Sequence, residues 1–332
     1  MSYRGLNVAL VIPCYNEGLS IAQVVREFRC AMPGIDVFVF DNNSTDDTTA
    51  IARAHGAQVM RVTLQGKGNV VRRMFADVEA DIYVMVDGDG TYHALSVTAL
   101  IDKLVDERLD MVVGCRATPR DIAREAYRRG HQWGNRLLTQ AVVQIFGGHF
   151  TDMLSGYRVF TRRYAKSFPA LSKGFEIETE LTVHALELRM PIGEITTPYG
   201  ARVEGSASKL STFRDGWRIL RTIVKLYVTE RPLAFFGIVA LLLALLSVGI
   251  TVPLLVTYLE TGLVARIPTA ILSAAIMVCA LLSLFSGLIL DNVARGRQEL
   301  KRLSYLSVPV KSASEEIHES VSMQPVAKAA AL

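Results

Sequence analysis

Two apolar stretches in the C-terminal third constrain this chain more than any other feature. Neither Leu233–Leu259 nor Ile267–Leu290 contains a charged residue. Each is longer than the roughly 20 residues an α-helix needs to cross the hydrocarbon core of a bilayer. Buried core helices of that length normally keep a polar stripe, so both are read as transmembrane helices. Only Glu260–Arg266 separates them, which suits a tight turn between antiparallel helices with both outer ends on one side. Arg218, Arg221, Lys225 and Arg231 precede the pair; Arg295, Arg297, Lys301 and Arg302 follow it; the turn holds one Arg. The positive-inside bias then places both flanks in the cytoplasm. The expectation is a multi-pass protein of the inner (cytoplasmic) membrane with both termini cytoplasmic. The N-terminus, Arg4 followed directly by a strand-like run, does not read as a signal peptide.

The remaining chain divides around this hairpin. Residues 1–212 read as a globular domain and 232–292 as the membrane part. Between them, Phe213, Trp217, Leu220, Ile223, Val224 and Tyr227 recur at helical spacing with Arg and Lys interspersed. Residues 213–231 are therefore expected to form a basic amphipathic helix suited to a headgroup layer. Residues 293–332 are expected to be a cytoplasmic tail, partly without fixed structure, because no strong periodicity is visible from 303 onward. The net charge of +4 is too small to indicate nucleic-acid binding. The four cysteines, Cys14, Cys30, Cys115 and Cys279, show no zinc-like spacing and read as free thiols in a reducing compartment.

In the first domain, strand and helix patterns alternate. Strands are expected at Leu6–Ile12, Asp36–Phe40, Gln58–Val62, Ile82–Val86 and Met111–Cys115. Helices are expected at Leu19–Cys30, Thr48–His55, Asn69–Val78 and Leu95–Asp106. Continuous apolar strands alternating with helices predict an α/β fold with a mostly parallel, Rossmann-like sheet covered on both faces. Ligands of such sheets bind at the carboxyl ends of the strands. Polar groups collect there: Asn16 and Glu17 after the first strand, Asp41 to Ser44 after the second, Asp87-Gly88-Asp89 after the fourth, and Arg116 after the fifth. Two carboxylates two residues apart can hold a hard divalent cation, Mg²⁺ or Mn²⁺, which also bridges to phosphate oxygens. A diphosphate leaving group needs such neutralisation.

The series V-I-P-C-Y-N-E-G, F-D-N-N-S-T-D-D-T and V-D-G-D-G resembles the family-2 glycosyltransferases of GT-A fold. The resemblance is close over residues 6–116. It continues through Thr151-Asp152-Met153-Leu154-Ser155-Gly156-Tyr157-Arg158, then Gly174 to Leu181, then Arg202 to Leu210. The whole set is similar to the dolichyl- and polyprenyl-phosphate sugar synthases, and two membrane helices after the catalytic domain match their bacterial branch.

The resemblance implies roles. Pro13, Tyr15, Glu17, Asp41 and Asn43 are expected to hold base and ribose. Asp87 and Asp89 are expected on metal and diphosphate, with Gly88 between them. Asp152 is expected beside the transferred sugar and acceptor, so Asp152, Asp89 and Glu178 form the expected catalytic set. Arg202, Ser206, Ser208 and Lys209 belong to a loop that closes over phosphates, and Lys67, in a Gly-Lys-Gly turn, lies near the donor. Arg116, Arg128, Arg129 and His131 are expected on the acceptor phosphate. Glu178 and Glu180 fall on opposite sides if their segment is helical, with Glu178 inward and one of the pair in solvent. His184 reads as structural. One departure stands out: many family members carry Gln two residues after the second Asp, and this chain has Thr91. Metal affinity or identity is therefore open.

The expected reaction moves one sugar from a nucleotide-sugar, UDP-glucose favoured, onto undecaprenyl or another polyprenyl phosphate, inverting the anomeric centre. A lipid phosphate is already an anionic nucleophile, so the site must chiefly position and neutralise charge. Arg suits that task through its bidentate donors. The bilayer is an expected partner, and a homo-oligomer is expected. Three other readings stay open. A processive polysaccharide synthase is disfavoured by the lack of a Q-x-x-R-W element and by too few spans. A glycosyltransferase with another lipid or hydroxyl acceptor and a non-catalytic membrane scaffold are the remaining two.

Overall fold

A computed structural model describes residues 3–117, 131–203, 205, 212–264 and 266–309, without the side chains of 131–137 and 212–215. The chain divides into two units, Met1–Leu220 with Lys301–Leu332, and Arg221–Leu300.

The first unit is built on a seven-stranded sheet of order β3-β2-β1-β4-β6-β5-β7. Its strands are β1 (Val8–Cys14), β2 (Asp36–Asp41), β3 (Gln58–Arg61), β4 (Ile82–Met85), β5 (Met111–Ala117), β6 (Arg158–Thr161) and β7 (Ile192–Pro198). The first four strands run parallel, and β5 and β7 pair in parallel. β6 is antiparallel to both its neighbours, β4 and β5. This is the mostly parallel α/β architecture expected of a GT-A domain. Leu10, Val11 and Ile12 of β1, Val84 and Met85 of β4 and Val112 and Val113 of β5 are inaccessible to solvent. That explains why these strands are apolar without alternation: both faces are covered. The helices are α1 (Ile21–Ala31), α2 (Thr48–Ala54), α3 (Lys67–Asp77), α4 (Val97–Asp106, after a 3₁₀ turn Ala94–Ser96), α5 (His131–Phe146), α6 (Arg162–Ser167) and α7 (Ile177–Glu187). Every expected strand and helix over the first 116 residues is present, with ends moved by at most two residues; β1, β2 and β5 reach further at their carboxyl ends, and β3 and β4 stop one residue short.

α7 corrects one expectation. Glu178 and Glu180 are both buried, so neither member of the pair faces solvent. The Glu180 carboxylate accepts the backbone N–H groups of Leu171 and Ser172 (2.8 and 2.7 Å) and so finds its partners inside the domain. His184 is buried too, edge-on to Tyr164 and Phe168, as a structural histidine would be.

The chain continues through α8 (Thr212–Glu230), α9 (Pro232–Thr261) and α10 (Ile267–Ser307). α9 and the first part of α10 are long and apolar enough to cross a membrane. Within the second unit they touch through small side chains. Ala240 and Ser247 are buried on α9, and Ser273, Ala280, Gly287 and Ala294 on α10, at seven-residue intervals that keep one face toward the neighbour. The Ser247 hydroxyl donates to the Ser273 carbonyl (2.8 Å), and the Thr251 and Ser273 hydroxyls lie 2.5 Å apart. The leucines opposite this seam, such as Leu241, Leu245, Leu282 and Leu288, are exposed, as suits a lipid-facing surface.

α10 does not stop at the expected end of the span. It runs on to Ser307, through residues the sequence left without structure. Its 41 residues span roughly 60 Å, about twice a hydrocarbon core. Asp291 pairs with Arg295 one turn on. At the far end, within the first unit, Lys301 pairs with Glu187 (2.8 Å) and the Tyr305 hydroxyl donates to Asp110 (2.7 Å). Arg163 donates to the Val308 carbonyl and lies over the Tyr305 ring. Long-range contacts, invisible to periodicity, hold this segment in place.

His184 sets an acid limit on stability. Burial, aided by the positive charge of Lys301, pulls its pKa from 6.5 to about 3. Between these values the unfolded chain binds the extra proton and the folded one does not, so stability falls as pH drops through that window. From pH 7 to pH 5 this group costs roughly 2 kcal/mol. Denaturation midpoints of purified protein in detergent should therefore fall over that range, and His184→Phe, which suits the aromatic surroundings, should flatten the fall.

Candidate functional site

The carboxyl ends of β1, β2, β4 and β5 supply the site. After β1 the chain enters a left-handed turn at Asn16 (φ 53°), and after β2 another at Asn43 (φ 65°), a conformation asparagine tolerates better than most residues. The two turns are tied together: Asn16 N–H donates to the Ser44 hydroxyl (2.9 Å), and Thr45 N–H to the Asn16 side-chain oxygen (2.7 Å). Asp41 is buried at the end of β2 and accepts from Ser44 N–H. Glu17 is buried as well, with its N–H on the Thr48 hydroxyl. Pro13 ends the same strand region, and Tyr15 stays partly exposed above it. Asn43 donates to the Thr63 carbonyl (2.8 Å). Its neighbour Asn42 bonds to Val62 and Leu64 carbonyls and to Gly66 N–H, which fixes the approach to Lys67.

Asp87 and Asp89 follow β4. Gly88 lies between them because a Cβ there would stand 2.7 Å from the Cys14 sulfur. Gly156 is constrained in the same way: a Cβ would come 2.5 Å from an Asp87 oxygen. The loop carrying Asp152 therefore closes directly onto the Asp-x-Asp turn. Thr91 donates its hydroxyl to Asp89 (2.6 Å) and fixes that carboxylate's orientation.

Asp87, Asp89, Asp152 and Glu178 each have a basic partner. Lys67 Nζ, nearly buried, lies 2.5 Å from both Asp87 and Glu178. Arg202 Nη2 lies 2.7 Å from Asp89. Arg116 grips Asp152 with two parallel bonds of 2.7 Å and donates its backbone N–H to the same carboxylate. Burial pulls the Lys67 ammonium down, but the two carboxylates outweigh it and hold the group firmly protonated. Burial pushes Glu178 up, against the attraction of Lys67. Arg116 also faces the Tyr199 ring (5.6 Å), and Tyr199 packs on Tyr92. The Tyr92 hydroxyl accepts Gly156 N–H (2.8 Å). These two tyrosines join the Asp152 side of the site to the Asp87 side, and no sequence motif announced them.

The supporting residue is Arg158 of β6, inaccessible to solvent. It donates to the carbonyls of Met153, Ser155 and Glu178 and to the Thr182 hydroxyl. It thereby fastens the Asp152 loop to α7, which carries Glu178.

Of the expected site residues, Pro13, Tyr15, Glu17, Asp41, Asn43, Lys67, Asp87, Gly88, Asp89, Arg116, Asp152, Glu178 and Arg202 fall at this end of the sheet or bond to residues that do. Arg128, Arg129, Ser206, Ser208 and Lys209 lie outside the described residues, and His131 is described only as the backbone start of α5. Among the described residues no cluster of three or more His, Cys, Asp or Glu forms a ready metal cage.

The pairing of Lys67 has a stability consequence. Removing the cation leaves Glu178 buried without compensation, which typically costs about 3–5 kcal/mol. Lys67→Ala should lower the unfolding midpoint strongly, and adding Glu178→Gln should recover part of the loss, measured as a double-mutant cycle.

Comparison with known proteins agrees with the geometry. The family described as "Glycosyl transferase family 2" matches residues 9–168. Glycosyltransferase AglJ of Haloferax volcanii is 32% identical over 90% of this chain and 98% of its own length. A dolichyl-phosphate hexose transferase from the same organism is 27% identical over 68% of this chain and 96% of its own. Among solved structures, glucosyl-3-phosphoglycerate synthase of Mycobacterium tuberculosis, in complex with Mn²⁺, UDP and glucosyl-3-phosphoglycerate, superposes with a TM-score of 0.54 at 24% identity. It covers 68% of this chain and 79% of its own, and shows the shared fold. With a GT-A sheet, an Asp-x-Asp turn at its carboxyl edge and a full-length relative at this identity, the chain belongs to glycosyl transferase family 2 and is a glycosyltransferase.

Proposed function

We propose that this glycosyltransferase moves a single sugar from a nucleotide-sugar, UDP-glucose first among the donors, to the phosphate of undecaprenyl or another polyprenyl phosphate at the cytoplasmic face of the membrane. The observation that carries the reading is the Arg116–Asp152 pair. A bidentate guanidinium sits beside the Asp-x-Asp turn, in a chain with two helices able to cross a membrane. A guanidinium that holds a carboxylate with two parallel bonds can hold a phosphate in the same way. The similarity to a dolichyl-phosphate hexose transferase supports a lipid phosphate acceptor. The basic residues on both flanks of the hairpin support a cytoplasmic domain.

In the reaction, an acceptor phosphate oxygen forms a bond to the anomeric carbon while the bond to the diphosphate breaks, and the nucleoside diphosphate leaves. A single displacement inverts the centre. Asp41, Asn43, Glu17 and Tyr15 are assigned to the nucleoside; Lys67, Arg202, Ser206, Ser208 and Lys209 to the diphosphate. Arg116, with Arg128, Arg129 and His131, is assigned to the acceptor phosphate. Asp152 orients Arg116 against it.

Asp87 and Asp89 fit Mg²⁺ or Mn²⁺: two carboxylates leave the other positions for phosphate oxygens and water, the usual arrangement for such a cation. When bound, it neutralises charge on the departing diphosphate. Both carboxylates are paired, Asp87 with Lys67 and Asp89 with Arg202. Diphosphate oxygens offer those two cations an alternative partner, so metal and nucleotide should favour each other's binding. Titration of purified protein with Mn²⁺, followed by electron paramagnetic resonance, should show at least tenfold tighter binding with saturating UDP than without it. Equal affinities would remove the linkage.

The function itself is tested with protein in detergent, undecaprenyl phosphate, Mg²⁺ or Mn²⁺, and a panel of radiolabelled nucleotide-sugars. Label should enter the organic phase from one donor, and chelator or Asp89→Ala should abolish it. If folded protein that binds nucleotide transfers nothing, the acceptor assignment is wrong.

A further inference from the structure

The carboxylate of Asp152 is held by Arg116, but the backbone that presents it is held by a residue from a different strand. Glu194 lies in β7, one strand beyond Arg116, in register with Val113 of β5. Its Oε1 accepts Thr151 N–H at 2.8 Å and lies 3.5 Å from Asp152 N. Its Oε2 accepts the Thr151 hydroxyl at 2.9 Å. One carboxylate thus grips main chain and side chain of the residue immediately before Asp152. The other edge of the same loop is fastened by Arg158 through the Met153 and Ser155 carbonyls. Between these anchors only Asp152 projects toward Arg116.

We infer that Glu194 is a positioning residue for the acceptor half of the site, acting by fixing the Thr151–Asp152 backbone so that Asp152 can orient Arg116. The role rests on the proposed acceptor assignment for its kinetic consequence and on geometry alone for its structural one. The chemistry favours positioning over a direct role. Both Glu194 oxygens are engaged by Thr151, and a carboxylate beside Asp152 would repel an incoming phosphate if it were turned toward it. The third neighbour is also settled: the Thr151 hydroxyl lies 3.1 Å from the Cys115 sulfur, and burial pushes the Cys115 thiol up to about 12, so it stays protonated and takes no charge into the cluster.

Glutamine is the informative substitution. Its side-chain oxygen can still accept Thr151 N–H while its amide donates to the hydroxyl oxygen, which can rotate. Alanine removes both bonds. The experiment compares wild type, Glu194→Gln and Glu194→Ala by hydrogen–deuterium exchange of peptides covering Thr151 and Asp152, by UDP binding, and by acceptor kinetics. In Glu194→Ala, exchange of that loop should accelerate while β1–β4 peptides and UDP affinity stay within twofold of wild type. kcat/KM for the lipid phosphate should fall about 10- to 100-fold, the scale of a small misplacement in a reacting pair. Glu194→Gln should restore most of both. Unchanged loop exchange in Glu194→Ala overturns the inference whatever the reaction proves to be, and so does accelerated exchange with unchanged acceptor kinetics. Loop exchange that responds as expected in a protein with no lipid-phosphate transfer leaves the positioning of Asp152 standing and rejects the acceptor assignment instead.

Discussion

A guanidinium with no access to water, that of Arg158, ties together the two halves of the catalytic end. It meets three carbonyls, one hydroxyl and the Met111 sulfur, all neutral, and burial pulls its pKa downward. A buried cation satisfied only by dipoles is costly to assemble and rewards completeness, since each missing acceptor leaves a charge-bearing donor unpaired. Its acceptors are the Asp152 loop on one side and α7 on the other. The fold reaches this arrangement by inserting β6 antiparallel between β4 and β5, which brings Arg158 beneath the loop that precedes it. The positions of Asp152 and Glu178 are therefore linked through one side chain that touches neither carboxylate.

Above that support, acids and bases are matched in pairs: Lys67 with Asp87 and Glu178, Arg202 with Asp89, Arg116 with Asp152. Buried ion pairs are weak sources of stability, because desolvation cancels much of the attraction. Their value in a site for phosphates lies in exchange. Lys67 and Arg202 can trade carboxylates for phosphate oxygens, and the freed carboxylates can take a divalent cation. Charge near the diphosphate then stays balanced in both states. The dipoles around the site, such as the Thr91 hydroxyl on Asp89 and the Tyr92 hydroxyl on Gly156, keep their places, and such preorganisation is what lets fixed groups stabilise developing charge.

Much of this was legible from residue pattern. Continuous apolar runs revealed β1, β2, β4 and β5 because strands largely buried on both faces cannot alternate, and polar residues at their carboxyl ends located the crevice; β3, at the sheet edge, keeps exposed Gln58 and Arg61. What escaped has a common cause: it depends on partners distant in sequence. Arg158-Val159-Phe160-Thr161 is too short to announce its direction, which only pairing with β4 and β5 fixes. Glu180 was expected to share a helix with an inward Glu178 and face water, yet its carboxylate receives two backbone N–H groups from the loop before α7. Glu194 is a single acid in a strand, indistinguishable by pattern from a solvent-facing one until Thr151 is seen against it. The placing of residues 301–308 depends on Glu187, Asp110 and Arg163, none of which is local to it.

The two helices long enough and apolar enough to cross a membrane obey a different logic from the catalytic domain, and with the proposed lipid acceptor the difference bears on substrate delivery. In lipid the leucines of α9 and α10 gain nothing by meeting each other, so the two helices associate through close approach of small residues and through hydroxyl bonds. The Ala240–Ser247 and Ser273–Ala280–Gly287–Ala294 seams supply the first, and Ser247, Thr251 and Ser273 the second. At Gly287 a Cβ would come 2.9 Å from that of Phe236, so even alanine would force the helices to give way. An anchor of this kind does not need to recognise the acceptor's hydrocarbon chain. Confining enzyme and a lipid-borne phosphate to one surface raises the effective concentration of one for the other, as any tether does. On the proposed acceptor assignment the site has only a phosphate to recognise, a task suited to a preset guanidinium such as Arg116.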